Sequence, residues 1–393
     1  MLILGAGPAG LACGIAAALG EKQVTVLEKN SQPGTKLRLA GAGQCNLTHG
    51  GSIGDFLLHY GGTQQSRFAK PALCEFPNTE TVRFFEQRST PLFEREDGKV
   101  FPHSLNGGDV LRVLTGELER NEGHLRTGIE IFSVRRTKSE FCVETNQGIF
   151  TSNRLAIATG GISYPQTGST GDGYCWAEQF GHRIVPPRPG LTPVIVEDYP
   201  FANAAGISWE NVPIDVFRNG KKIRQGCGGV LLTHRGLSGP GILDISRFLE
   251  PQDTLRLPIC QSTADLESLL CGKKFLKNAL APLGVPDRLL QLLLLKLGIA
   301  PETAAAEVDR KTRHRLEQSL QRFPFVVKRL GGFEEAMCTC GGVALEEVKR
   351  QTMESRLVPG LFFCGEVLDV DGNTGGYNIQ FALSSGFLAG KVP

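Results

Sequence analysis

The chain lacks the features that mark proteins for nucleic acid or for membranes. Its 393 residues contain 42 Lys and Arg against 40 Asp and Glu, so the formal net charge is only +2. This balance predicts neither a nucleic-acid partner nor an anionic membrane. The longest leucine-rich stretch, residues 289–297, is far shorter than a membrane span. No basic leader precedes the first apolar segment, and we therefore expect a cytoplasmic protein.

Cysteine is present without a metal-binding pattern. The 11 cysteines include no Cys-x-x-Cys pair and no cluster of Cys and His at metal-ligand spacing, so no metal site is predicted. Most of the cysteines are expected to be reduced core residues. Cys338 and Cys340 are the closest pair, and we expect their side chains on opposite faces of a strand, which would exclude a disulfide.

Glycine, in contrast, is abundant, and the glycines near the N-terminus carry the clearest signal. The turn Gly5-x-Gly7-x-x-Gly10 follows the apolar residues 2–4 and opens a stretch rich in Ala and Leu. Gly5 permits a sharp turn after a strand, Gly7 lets the backbone approach a pyrophosphate, and Gly10 lets a helix pack closely on the strand. The free N–H groups and the positive end of that helix then face the anion.

The residues after this turn complete a dinucleotide-binding pattern. A predicted helix over 9–19 ends at Gly20, and a second apolar run over 24–27 ends at Glu28. A carboxylate at this position would hold a ribose diol and repel a 2′-phosphate. The sequence therefore predicts a Rossmann-like βαβ unit at the N-terminus.

The chain length favours two domains. Three prolines within residues 186–189 indicate an exit from the first domain, and glycine-rich motifs like those of the N-terminus return near the C-terminus. We therefore predict an α/β fold in which an insertion divides a Rossmann-like domain. The predicted parts are a discontinuous nucleotide-binding domain, 1–187 and 341–393, and an inserted substrate domain, 188–340, that is β-rich over 191–260 and helical over 264–322.

Five motifs, in order along nearly the whole chain, resemble one bacterial flavoprotein family. This is the BaiN-like group of NAD(P)/FAD-dependent oxidoreductases, which also contains aminoacetone oxidase. The chain departs from the group at Gln44, where Arg is common, and at His49, where Asn is common. The motifs are the N-terminal turn with Glu28, Gly41-Ala-Gly43-Gln44-Cys45-Asn46-Leu-Thr48, Ala158-Thr159-Gly160-Gly161, residues 233–240, and Gly365-Glu366 to Asp371-Gly372 with Gly375-Gly376-Tyr377-Asn378.

The resemblance implies a Rossmann-like FAD-binding domain of the two-dinucleotide-binding flavoprotein type. It assigns the FAD pyrophosphate, ribose, ribityl chain, adenine and flavin ring to residues in these motifs. A helix N-terminus aimed at flavin N1 and O2 would favour the reduced cofactor. The implied contacts are Gly5, Gly7, Pro8, Ala9, Gly10, Glu28, Lys29, Lys36, Gly43, Gln44, Cys45, Asn46, Thr48, Ile131, Thr159, Gly160, Gly365, Glu366, Asp369, Gly376, Tyr377, Asn378 and Ile379.

No catalytic residue is assigned, because each reactive side chain has a structural alternative. Cys45 without a partner thiol is expected to pack beside the cofactor, and Tyr377 to form a wall of its pocket. His49 and His234 are candidate proton donors, but solvated or structurally bonded imidazoles are expected instead. Arg235 could bind a substrate carboxylate, or simply be exposed.

Three functions remain open from the sequence. The leading one is reduction of a C=C bond in a small organic substrate by NADH or NADPH through flavin N5. Because there is no second complete Gly-x-Gly-x-x-Gly, a nicotinamide would dock only transiently. The close alternative is an amine oxidase like aminoacetone oxidase that uses oxygen. The alternatives of another class are an RNA-modifying flavoprotein and a FAD-binding redox module.

Overall fold

The computed structural model describes residues 1–20, 22–138, 140–262 and 264–392. It forms two compact units, of which the first is Met1–Gly190 with Phe333–Pro393 and the second is Leu191–Gly332. The boundaries differ by a few residues from the predicted ones. The cause is a ribbon in which Ile184–Gly190 pairs antiparallel with Cys338–Val343, which keeps both segments in the first unit.

A seven-stranded sheet forms the centre of the first unit. The first strand of the chain, Leu2–Leu4, is parallel to Leu155–Ile157 on one side and to Thr25–Leu27 on the other. All three residues of Leu2–Leu4 are buried, as expected where helices cover both faces of a parallel sheet. In spatial order the strands are Val348–Lys349, Glu354–Ser355, Leu361–Phe363, Leu155–Ile157, Leu2–Leu4, Thr25–Leu27 and His124–Arg126.

Two helices from opposite ends of the chain pack against each other beside this sheet. They are Pro8–Leu19 and the terminal helix Tyr377–Lys391. Their approach depends on glycine, because a Cβ on Gly386 would lie 2.3 Å from the carbonyl oxygen of Ala9. The remaining α-helices of the first unit are Thr35–Leu39, Ile53–Phe56, Thr63–Glu75, Asn78–Glu86, Gly107–Arg120 and Asp172–Gln179.

Two small antiparallel sheets complete the first unit. One contains Thr48–His49, Lys99–Pro102 and Leu92–Glu94. The other contains Ile131–Arg136, Phe141–Thr145 and Gly148–Ser152.

A closed six-stranded barrel forms the core of the second unit. Its longest strands are joined by the turn Asn219-Gly220, and both turn residues have positive φ, 50° and 76°, as a two-residue hairpin turn of the Asn-Gly type requires. In order around the barrel the strands are Val194–Val196, Gly236–Ser238, Lys221–Leu232, Ser208–Arg218, Thr254–Leu257 and Phe323–Leu330. The α-helices are Pro240–Ser246, Leu266–Leu269, Leu276–Ala279, Asp287–Lys296 and Arg310–Arg322.

The proline-rich segment lies in the strand Ile184–Gly190, at the end of the first part of the first unit. Its partner strand leaves one edge unpaired, and a register shift accommodates the prolines. The segment predicted as helical, 264–322, contains four α-helices, of which two are longer than a single turn. One expectation, about the cysteines, is wrong. Of the 11 cysteines, all free, five are buried, two are half-buried and four are exposed, so most do not lie in the core.

The placement of Cys338 and Cys340 also differs from the expectation. Residues two apart on a strand share a face, because side chains alternate at every residue. A Cβ on Gly190 would lie 2.9 Å from Cys338 Sγ and 2.6 Å from Cys340 Sγ, so both thiols point toward the same glycine.

None of the described helices is long and apolar enough to cross a bilayer.

Candidate functional site

The glycine turn at the N-terminus has the geometry of a pyrophosphate cradle. Gly5 has φ +100°, and a Cβ there would lie 2.6 Å from the carbonyl oxygen of Ala158. A Cβ on Gly10 would lie 1.9 Å from the carbonyl oxygen of Gly5. In contrast, a Cβ on Gly7 would meet no atom within 4 Å. Gly5 and Gly10 therefore serve close packing, whereas Gly7 leaves open space at the helix N-terminus.

The helix Pro8–Leu19 begins at this open space with its polar groups available. Its N-cap, Gly7, offers no side-chain cap, and the first turn contains no acidic residue. The N–H groups of the first turn have no intrahelical partners, and they carry the positive end of the helix dipole. A phosphate group fits this end of the helix.

Glu28 lies next to the turn, and backbone groups orient it. Its buried carboxylate accepts hydrogen bonds from Ala6 N and Asn30 N, each at 2.9 Å. The Glu28 carbonyl accepts from Ile129 N at 2.9 Å, so the segment leading to Ile131 runs beside Glu28. The neighbouring Lys29 is already engaged, because its ammonium pairs with Asp172 Oδ2 at 2.7 Å.

The Glu366 carboxylate is held by one cation and two neutral hydrogen-bond donors. Lys36 Nζ donates to both carboxylate oxygens, at 3.0 and 2.8 Å, and Ser163 Oγ and Thr339 N donate to Oε1 at 2.9 and 2.8 Å. Burial raises the pKa of Glu366, but the charge of Lys36 and the hydrogen bonds from all three residues outweigh it and lower this pKa below its usual range. Glu366 is therefore a fixed anion at neutral pH.

Asp369 lies close to titration near neutral pH. Burial and the neighbouring charge of Asp371 raise the pKa of Asp369 to about 6, although a hydrogen bond from Gly341 N opposes the shift. The same segment therefore contains one carboxylate that stays ionised, Glu366, and one that takes up a proton in mild acid. Both residues are implied FAD contacts in the sequence, and only their surroundings in the fold separate them.

The loop over 41–49 and the start of the terminal helix are in contact although they are far apart in sequence. A Cβ on Gly376 would lie 2.6 Å from the carbonyl carbon of Thr48. With its amide nitrogen turned toward Thr48 O at 3.0 Å, Asn46 accepts from Gly376 N at 3.2 Å. Thr48 Oγ1 donates to Gln380 Oε1 at 2.6 Å. Two of the five family-like motifs, 41–48 and 375–378, are therefore in direct contact.

This contact presents a helix N-terminus without a side-chain cap. The N-cap of Tyr377–Lys391, Gly376, has φ +95°, and the first turn contains no acidic residue. Asn378 closes the preceding loop by bonding Gly372 N at 2.8 Å and Gly372 O at 3.0 Å, so its side chain is structural. Gly376 to Ile379 thus form a second anion-receptive helix end.

Tyr377 lies in an aromatic stack that the sequence reasoning found only in part. Its ring stacks on His59 at a centroid distance of 4.3 Å and on His49 at 5.1 Å. Burial lowers the pKa of His59, helped by His49 and opposed by Asp55. The ring nitrogens of His49 contact the carbonyl oxygens of Gly50 and Asp97 at 2.9 and 3.0 Å. No sequence pattern singled out His59, because it lies outside every motif.

The remaining residues implied as cofactor contacts differ in burial and in hydrogen-bond partners. Cys45 is fully buried with φ 58°, and burial raises the pKa of its thiol to about 12, so it is a packed thiol and not a nucleophile. Gln44 Oε1 accepts from Arg95 at 2.9 Å. Thr159 Oγ1 is buried and finds no hydrogen-bond partner among the described residues. A Cβ on Gly160 would meet only Ser169 Oγ, at 3.8 Å.

Other predicted residues act through packing. Gly365 has φ +75°, a Cβ there would lie 2.7 Å from Ala9 Cβ, and its N–H donates to Ser385 Oγ at 2.9 Å. Gly43 has φ +89°, and a Cβ there would meet the carbonyl oxygen of Arg38 at 3.8 Å. Pro8 occupies the first turn of its helix. His234 and Arg235 belong to the second unit, and neither lies in the unit that contains the glycine turn.

Within the described ranges no cluster of three or more His, Cys, Asp or Glu could hold a metal ion.

Comparisons with known proteins agree with this arrangement. The family described as "HI0933-like protein Rossmann domain" matches residues 1–392. The ribosomal RNA dihydrouridine synthase of Escherichia coli K12 is 32% identical over 399 residues, which cover 99% of this chain and 96% of that protein. The 3-dehydro-bile acid delta(4,6)-reductase of Clostridium scindens is 30% identical over 411 residues, 99% of this chain and 98% of that protein.

Solved structures share the fold at much lower identity. A 3-ketosteroid-delta4-(5alpha)-dehydrogenase from Rhodococcus jostii RHA1 has a TM-score of 0.51 and 15% identity, over 99% of this chain and 94% of its own. A 3-ketosteroid delta1-dehydrogenase from Sterolibacterium denitrificans has a TM-score of 0.51 and 11% identity, over 99% and 98%. The chain therefore belongs to the HI0933-like Rossmann-domain family, the group of flavoprotein oxidoreductases that its motifs resemble.

Proposed function

We propose that this protein uses FAD to reduce a carbon–carbon double bond conjugated to a carbonyl group, with NADH or NADPH as the electron donor. The names of the two relatives support the bond change. Formation of dihydrouridine and the action of a delta(4,6)-reductase on a 3-dehydro-bile acid both saturate such a bond. When bound, FAD would supply the hydride transfer, and the chain would supply binding and orientation.

The residues of the first unit fit this cofactor. The open space at Gly7 and the uncapped helix behind it suit the pyrophosphate, and the oriented carboxylate of Glu28 suits the adenosine ribose. Lys36 and Asn46 would lie along the ribityl chain and ring. Lys29 is less suited to the ribose, because it is already paired with Asp172.

The observation that carries the proposal is the uncapped N-terminus of the terminal helix, held against the loop over 41–49. The N–H groups of its first turn, from Tyr377 to Ile379, would stabilise negative charge on the reduced flavin, which favours acceptance of hydride from a donor. Asn46 bonds Gly376 N and so fixes the position of this helix end.

The test is anaerobic reduction of the bound flavin by NADH or NADPH, followed by reoxidation with a 3-keto-Δ4 steroid as model substrate. Loss of the oxidised flavin absorbance on adding a nicotinamide, and its return on adding the steroid, are expected. Reduction by aminoacetone with no response to either nicotinamide would support the amine oxidase and overturn the reductase. No reduction by any of them would indicate a binding module.

A charge substitution tests the role of the helix end. Asn46→Asp would place a carboxylate beside Gly376 N, so the midpoint potential of the bound flavin should fall. Asn219→Asp, at the exposed hairpin turn of the second unit, adds the same charge and should leave the potential unchanged. An equal potential in both variants would contradict an anion-stabilising role for this helix end.

A second candidate substrate is a uridine in RNA. Two relatives, from Escherichia coli and Haemophilus influenzae, are named ribosomal RNA dihydrouridine synthases, at 32% and 31% identity. Reoxidation of the reduced flavin by a uridine-containing ribosomal RNA fragment, and not by the steroid, would favour this substrate. These two names point the other way from the sequence-based prediction that nucleic acid is not a partner, which stays a prediction.

A further inference from the structure

The two units of the chain carry opposite net charge. Residues 191–332 contain 19 Lys and Arg against 14 Asp and Glu, whereas the first unit contains 23 against 26. The small net charge of the whole chain is therefore the sum of a basic unit and a mildly acidic one. A basic surface on the second unit is compatible with the total.

Much of the basic excess is on one helix and its neighbour. The helix Arg310–Arg322 exposes Lys311, Arg315 and Arg322, which share a face because they are four and seven residues apart. Arg315 donates to the carbonyl oxygen of Leu297 at 3.2 Å, which brings Lys296 to the edge of this face. We call Lys296, Lys311, Arg315 and Arg322 the basic face. No carboxylate of the described chain forms an ion pair with any of the four.

The stability of the helix does not account for these cations. Arg310 and Lys311 occupy the first turn, where the helix dipole disfavours positive charge by about 0.3–1 kcal/mol each. The carboxylate at this helix end, that of the N-cap Asp309, accepts from Lys311 N and Thr312 N at 2.9 and 3.0 Å and offsets only part of the two positive charges. Lys311 and Arg315 are four residues apart, so their like charges repel. Binding of an anion would relieve both unfavourable terms.

We propose that the basic face docks the phosphate backbone of an RNA substrate. The inference rests on the RNA-directed form of the proposed function. From Lys311 to Arg322 the helix rises about 16 Å, which is long enough to contact several consecutive phosphates. A bilayer fits less well, because membrane-surface helices expose apolar residues beside their cations and the leucines of this helix, Leu316 and Leu320, are buried.

The test compares two full-length triple variants that change the net charge by the same amount. The first, Lys311→Glu with Arg315→Gln and Arg322→Gln, removes most of the basic face. The matched control, Arg67→Gln with Lys70→Glu and Arg350→Gln, changes exposed residues of the first unit for which the structure gives no side-chain partner. The probe is a fluorescently labelled single-stranded RNA of mixed sequence, and its binding is followed by anisotropy over a range of salt concentrations.

Removal of the basic face should weaken RNA binding at least about tenfold and lower the slope of log affinity against log salt by about 2, since each lost phosphate contact reduces it by about 0.7. The control should bind as the wild type does. The melting temperature of the first variant should be unchanged or higher, because Lys311→Glu suits the helix dipole, so misfolding cannot explain the loss.

Several outcomes would overturn the inference. They are equal weakening in both variants, undiminished binding without the basic face, and preferential binding of the wild type to phosphatidylglycerol vesicles over RNA. The assay needs no flavin and no turnover, so its failure is separate from failure of the reductase. Flavin reduction by a nicotinamide with wild-type binding in the first variant would keep the chemistry and reject this docking surface.

Discussion

Replacing Lys36 by methionine removes the charge beside Glu366 and keeps the aliphatic stem. Glu366 would then retain only the hydrogen bonds from Ser163 and Thr339. Removing one partner of a fully buried ion pair costs about 3–5 kcal/mol. Because the side chains of Lys36 and Glu366 are 26% and 20% exposed, we expect a smaller loss of about 2 kcal/mol at about pH 8. This corresponds to a fall in melting temperature of about 4–8 °C.

The loss should depend on pH in a defined direction. The pKa of Glu366 in the folded protein is lowered, so its ionised form stabilises the fold above the ordinary Glu pKa, and that stabilisation is lost as the pH falls through the lowered value. In the variant, protonation of Glu366 removes the unpaired charge. The difference in unfolding free energy between the wild type and Lys36→Met should therefore be largest at about pH 8 and shrink toward about pH 4.

Urea unfolding followed by circular dichroism over this pH range measures the difference, with flavin absorbance recorded to monitor cofactor content. Adding Glu366→Gln to Lys36→Met should restore at least half of the lost stability. Lys99→Met is the matched control, because the pair it breaks with Asp97 is more exposed and is worth less than about 1 kcal/mol. A deficit that is independent of pH, or a double variant no more stable than Lys36→Met, would refute this account of the cluster.

Two further predictions concern the glycine turn and Asp369. Gly7→Ala should fold with stability within about 1 kcal/mol of the wild type, because its Cβ enters open space, but the variant should retain less FAD. Gly10→Ala should lose more than about 3 kcal/mol of stability, because its Cβ would collide with Gly5 O. Thermal melts and flavin content measure both effects. The raised pKa of Asp369, about 6, favours the protonated folded protein, so wild-type stability relative to Asp369→Asn should fall by about 1–2 kcal/mol as the pH rises from about 4 to 7. A constant difference across that range would contradict the assigned environment of Asp369.

The N-terminal unit could be predicted from the sequence because its signals are local. The strand at Leu2–Leu4, the glycine turn and the helix behind it follow from neighbouring residues, and so does the hairpin at Asn219-Gly220. The strand Ile184–Gly190 could not be predicted, since its prolines are tolerated only because of a partner about 150 residues later and an unpaired edge.

The sequence by itself determined the fold class, the position of the dinucleotide turn and the family, because each depends on residue types at fixed spacing. Only the tertiary structure decided which distant residues meet. It placed Lys36 on Glu366, stacked His59 on Tyr377, and joined Asn46 to Gly376. It also divided a nearly neutral chain into two units of opposite charge. Electrostatic interactions depend on distance in space, and a summed charge does not contain that distance.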